Sequence, residues 1–127
     1  VTWDRQSAAA AVTQALQVTL GETTWVYPAP PQTVNPPAVV VGRPAGVRFA
    51  EVAFGIDMAE LPVVCVAAAD GEDQAARLVG LVRQSFPDPT LGGAVLSCVA
   101  VAERNWRNVT IAGVDLLQVE VVLDIRM

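Results

Sequence analysis

Apolar residues at positions 8, 12, 15, 16 and 20 of "TWDRQSAAAAVTQALQVTLGE" recur at three- and four-residue spacing, which gathers them on one face of a helix. Thr2 is its candidate N-cap and Gly21 its C-terminal stop. "TTWVY" at 23–27 then turns to β-branched and aromatic residues and predicts a strand, with Trp25 expected in the core. Two further β runs, "AVVVGR" at 38–43 and "VRFAEVAF" at 47–54, flank "PAG" and predict a hairpin. In the second arm Val47 and Phe49 share one parity while Val52 and Phe54 take the other, the pattern of a bulge or of a strand leaving its sheet.

"GIDMAE" at 55–60 reads as a loop, and the continuous apolar run "LPVVCVAAA" at 61–69 as a strand covered on both faces. The segment "DGEDQAARLVGLVRQSF" carries apolar residues at 75, 78, 79, 82 and 86 and predicts a second helix. Asp70 and Asp73 stand at the spacing of a capping box, and Asp73 precedes Arg77 by four residues in the favourable acid-first order. After the breaker "PDPTLGG", three runs at 94–103, 106–113 and 114–126 predict an antiparallel meander. In the last of them Leu117, Val119, Val121, Leu123 and Ile125 face inward, and Gln118, Glu120, Asp124 and Arg126 face water or a partner.

This order of elements predicts one α+β domain spanning 1–127, a two-layer sandwich with a mostly antiparallel sheet and two helices on one face. The irregular stretch "VYPAPPQTVNPPAVVVGRP" at 26–44 does not read as a linker, because the 25 residues before it are too few to bury a core. Its "PAPP" matches the pattern read by proline-binding domains, a match that is common and here lies between two strands. A stiff crossing poor in backbone donors, with the next strand starting directly after Pro37, is the expectation.

Composition narrows the chemistry. Thirteen acidic residues face eight arginines for a net charge of −5, and the chain contains neither lysine nor histidine. The arginines are dispersed, unlike the clustered basic face of a nucleic-acid binder. Without histidine, Ser-His-Asp and Cys-His arrangements and most catalytic zinc sites fall away; without lysine, so do Schiff bases and the Walker lysine. Cys65 and Cys98 lie in apolar runs without zinc-site spacing and read as buried reduced thiols. No apolar run approaches membrane-spanning length, and the N-terminal residues lack the order of a signal peptide, so a product made in the cytoplasm is expected.

Carboxylates remain as candidate acid/base groups. Asp70, Glu72 and Asp73 are accounted for by the start of a helix, and Asp57 and Glu60 by a solvated or partner-facing loop. No catalytic, cofactor or metal residue is assigned. Trp106 stands in the charged turn "ERNWRN" between Arg104 and Arg107, either a contact anchor or a local cation-π packing element.

Taken along its whole length, the chain resembles the tail terminator proteins of long-tailed bacteriophages, particularly those of GC-rich actinobacterial hosts. The residues that carry this most specifically are Tyr27-Pro28, followed by Asn35-Pro36-Pro37 and a β run. The resemblance implies a structural virion protein and not an enzyme, forming a ring, expected to be hexameric, at the head-proximal end of the tail tube. Its partners would be copies of itself, the tail tube protein and the head-tail connector protein, with DNA passing through without specific binding. A ring needs unlike surfaces to meet. The candidate interface residues are Arg43, Arg48, Asp57, Met58, Glu60, Arg104, Trp106 and Arg107. Another head-tail connector or completion protein, or a small carboxylate-based enzyme or ligand-binding domain, are the alternatives.

Overall fold

The computed structural model describes residues 5–21, 24–28, 32, 35–42, 45–48, 58–86 and 97–126. Among the described residues two helices and six strands follow one another as α1 (Arg5–Leu20), β1 (Trp25–Tyr27), β2 (Ala38–Val41), β3 (Ala45–Arg48), β4 (Met58–Ala68), α2 (Glu72–Gln84), β5 (Ser97–Ile111) and β6 (Val114–Arg126). The strands form one sheet in the order β1-β2-β4-β6-β5, with β3 also paired to β4. Of the strand pairs among the described residues, only β1 and β2 run parallel. The fold is α+β.

Both helices cover the same face. Ala8, Val12, Leu16 and Leu20 of α1 recur every four residues, and Ala75, Leu78, Val79 and Val82 follow the helical repeat on α2. They meet the alternate residues of the sheet: Val39 and Val41 on β2, Leu61, Val63 and Cys65 on β4, and Val119, Val121, Leu123 and Ile125 on β6. Burying one such Leu or Ile contributes about 1.5–3 kcal/mol, so this single layer accounts for most of the stabilisation. The α1 helix closes at Leu20, where the Gly21 N–H donates to the Gln17 carbonyl at 2.9 Å.

The centre of the sheet is the long antiparallel pair of β4 and β6, in unbroken register from Met58↔Arg126 to Ala68↔Leu116. Met58, Ala59 and Glu60 therefore belong to a strand and not to the expected loop. Pro62 stands in the middle of this central strand, a position where proline usually costs a ladder bond. Its carbonyl accepts from the Gly42 N–H at 2.8 Å, so its missing N–H faces the junction where β2 has ended and β3 has not begun. The lost donor falls where the ladder is already interrupted.

That junction overturns the expected hairpin of 38–43 with 47–54. Both β2 and β3 pair antiparallel with β4, so they run in the same direction, one after the other along a single edge. "PAG" marks an irregularity in that run, without a reversal; residues 49–57 lie outside the described residues.

The segment of residues 28–37 is the crossover that a parallel neighbour requires. Such connections are usually longer, but β1 has only three residues, so the length to be retraced before β2 is about 10 Å. Pro28, Gln32 and Asn35 are exposed, and β2 starts at Ala38, directly after Pro37 as expected. The Trp25 N–H donates to the Pro37 carbonyl at 3.3 Å, tying the two ends of the crossover together.

Three further expectations change. Trp25 is not in the core but 61% exposed, because the alternation of β1 turns Val26 toward the helices and Trp25 and Tyr27 to the other face. The predicted strands 94–103 and 106–113 are one strand, β5, carrying bulges between Ala100 and Ala102 and between Arg104 and Arg107. Finally, α2 begins after Gly71 with no side-chain cap, so Asp70 and Asp73 form no capping box; Glu72 and Asp73 in the first turn and Arg83 in the last favour the helix dipole instead.

Candidate interaction surface

The sheet face away from the helices is assembled by strand alternation. Glu60, Pro62, Val64 and Val66 of β4 lie beside Gln118, Glu120, Val122 and Asp124 of β6, which lie beside Arg104, Arg107 and Val109 of β5. At one end Ala38, Val66 and Leu116 are buried against Tyr27, Val64, Val109 and Ile111. Leu116 and Val122 are thus buried on the side of β6 expected to meet water.

Next to this small apolar cluster stands a polar network. The Arg104 Nε donates to Glu120 Oε2 at 2.7 Å, and Asn105 Nδ2 donates to the same oxygen at 3.0 Å. The Arg104 Nη1 also reaches Glu60 Oε2 at 4.0 Å, across β6. The hydrogen bond and charge of Glu120 hold the Arg104 guanidinium above its ordinary pKa, with a smaller contribution from Glu60. Asn105 adopts φ 61°, a left-handed conformation that asparagine tolerates better than most residues, and this bulge aims its amide at Glu120.

One register step away, Gln118 is assigned with its amide oxygen toward Arg107, where it accepts from Nε at 2.9 Å and Nη2 at 3.0 Å. Glu60 and Asp124 lie directly opposite one another, a like-charge pair that is unfavourable across strands. Asp124 Oδ1 is buried and has no hydrogen-bond partner among the described residues.

Two shallow depressions flank β5. A groove of about 200 Å³ opens between α2 and β5, lined by Val79, Arg83, Ala100, Val101, Glu103 and Val121. Another of about 390 Å³ lies between Asp70 and Glu72 at the start of α2 and the bulge residues Trp106 and Arg107. Both cysteines are buried and unpaired. Burial, followed by the charge of Glu103 for Cys65 and of Asp124 for Cys98, pushes each thiol up to about 12. Both are protonated at neutral pH and behave as small hydrophobes.

Of the interface residues expected from the sequence, Glu60 and Arg104 come together and Arg107 lies beside them. Met58 is half-buried at the start of β4, and Arg48 is placed by its backbone opposite Met58. Trp106 is 40% exposed, and it sits in a mid-strand bulge instead of the expected hairpin tip. The tip is Ala112-Gly113, with φ 51° and 80°, the pattern of a type I′ turn. Arg43 and Asp57 lie outside the described residues. Sequence reasoning missed Glu120, Gln118 and Asn105 as partners in the network. The alternation of the last strand places the first two on the right face, but their partners follow from a register that the β5 bulges shift.

Among the described residues no helix is long and apolar enough to cross a membrane. No protein-family model matches the chain, and no curated protein is found that is similar to it.

Proposed function

We propose that this chain is a structural assembly subunit, a ring-forming tail terminator that ends polymerisation of a phage tail tube at its head-proximal end and joins it to the head connector. The observation that carries this reading is the face opposite the helices. On it the Arg104–Glu120–Asn105 network and the Arg107–Gln118 pair border an apolar cluster. Paired polar side chains beside an apolar cluster and a partly exposed tryptophan suit contact with another protein. The resemblance over the whole chain supplies the particular assembly. In that assembly the subunit belongs to the virion, at the head end of the tail, as a hexamer contacting tube protein and connector, and DNA passes it unbound because the net charge is negative.

Deleting the gene and imaging the resulting particles tests the reading. Abnormally long, headless tails are expected; tails of normal length would sink it.

A further inference from the structure

The large apolar side chains left exposed lie at the two margins of the sheet, on both of its faces. Among the described residues they are Val18, Trp25, Val99, Val101, Trp106 and Val114. Val99, Val101 and Trp106 belong to β5, the outermost strand on one side of the sheet, and Val114 opens β6 just past the tip of the same hairpin. Trp25 belongs to β1, the outermost strand on the opposite side, and Val18 lies on the outward surface of α1, the helix packed on β1. Both strands leave an edge unpaired among the described residues. Natural proteins protect such edges with charge, proline, bulges or shortness. β1 is short and β5 carries two bulges, so their backbone edges are protected in this way and what they leave open is apolar side chains; on β5 Arg104 and Arg107 are already engaged by Glu120 and Gln118, so covering either margin strands neither arginine.

We propose that a second copy of this chain covers these patches head to tail, the indole of Trp25 in one copy entering the groove between α2 and β5 of the next. Ala100 and Val101 give that groove an apolar wall over the buried Val79 and Val121, Glu103 offers an acceptor for the indole N–H, and Arg83 brings a cation to the ring face. Trp25 is presented for this, 61% exposed and held by stacking on Tyr27 with ring centroids 6.5 Å apart and planes inclined by 20°. Tryptophan is enriched among binding hot spots, which sit in well-packed, desolvated pockets. Because the two patches differ and lie on opposite sides of the sheet, each copy keeps one free patch after pairing, and the contact propagates into a ring or filament. The contact deepens the assembly reading above, and only closure into a ring rests on it.

Sedimentation velocity of the full chain, at concentrations up to about 1 mM, tests the contact. The wild type is expected to associate beyond the dimer, while Trp25→Glu and Val101→Glu are each monomeric. An equimolar mixture of the two variants, each retaining the patch the other has lost, is expected to form dimers and nothing larger. A monomeric wild type, a Trp25→Glu variant that still associates, or a mixture that stays monomeric would each overturn the proposal. Both positions are more than half exposed, so the substitutions leave the fold intact, which circular dichroism checks; Trp25→Ser and Val101→Lys serve as a second pair. If the contact holds and deletion of the gene still yields normal tails, the tail role falls and the contact stands.

Discussion

Leu123 and Val122 are neighbours on β6 and both are buried, yet they belong to different parts of the molecule. Leu123 lies under two helices, in a layer that continues through Leu16, Leu61 and Ile125. Val122 points to the other face, where the apolar cluster is small and Arg104, Glu120 and Asp124 begin at once. One face is a dry core, and the other mixes apolar side chains with charged ones, some paired and one, Asp124, with an unpartnered oxygen among the described residues. The difference teaches where burial stabilises the fold and where charged and apolar side chains stay within reach of solvent.

The largest expected effect tests how dry the covered face is. Cys65 and Cys98 both lie there, with thiols pushed from 9.0 up to about 12. Between those values the unfolded chain has released thiol protons that the folded chain still holds, so stability falls as pH rises. The contribution is complete below pH 9.0 and lost by about 12, with a slope of up to about 1.4 kcal/mol per pH unit for each thiol. Denaturant unfolding at successive alkaline pH values should show this decline, and the double variant Cys65→Ala, Cys98→Ala should flatten it. Equal slopes in the two proteins would mean that water reaches the thiols.

Next comes the leucine pair. Leu123→Ala is expected to cost about 3–5 kcal/mol by chemical denaturation, because a cavity in the large cluster cannot collapse, and Leu116→Ala about 2–3 kcal/mol in the smaller one. Equal losses would erase the distinction between the faces.

A third substitution probes the edge between them. A Cβ on Gly42 would lie 2.8 Å from the Pro62 carbonyl oxygen and 2.7 Å from its Cγ, and neither belongs to a flexible side-chain end. Gly42→Ala should destabilise by about 1–3 kcal/mol, measured as a fall in denaturation midpoint. At the far end of the hairpin, Ala112 holds φ 51°, where asparagine is better suited, so Ala112→Asn should raise stability by under about 1 kcal/mol in the same measurement. Smallest of all, Glu120→Gln on the open face should leave the thermal midpoint nearly unchanged, since its partner Arg104 is solvent-exposed. A large loss there would show that the network holds the fold together instead of serving the surface.

Much of the covered face was legible in the sequence. The spacing 8, 12, 16, 20 and the alternation 119, 121, 123, 125 name core residues correctly, because a helix or strand with one apolar face has a single way to bury it. The candidate surface was half legible. Its arginines and Glu60 could be picked out as charged residues at exposed positions, but Glu120, Gln118 and Asn105 become their partners only through the bulges of β5. The reading of "ERNWRN" as a turn was natural for a polar hexapeptide between two β runs, and it failed because a bulge needs the same residues as a turn.

What the sequence alone determined is local and periodic: two amphipathic helices, a final strand with one apolar face, thiols sunk in apolar runs, and a proline segment leading straight into a strand. What the tertiary structure decided is non-local. It set β2 and β3 in line along β4 where a hairpin was expected, turned Trp25 outward on an edge strand, and carried Arg104 across β6 to Glu60. Periodicity records which side of an element is apolar. Which strand lies beside it depends on pairings between residues far apart in the chain, and those are chosen only when the whole sheet closes over its core.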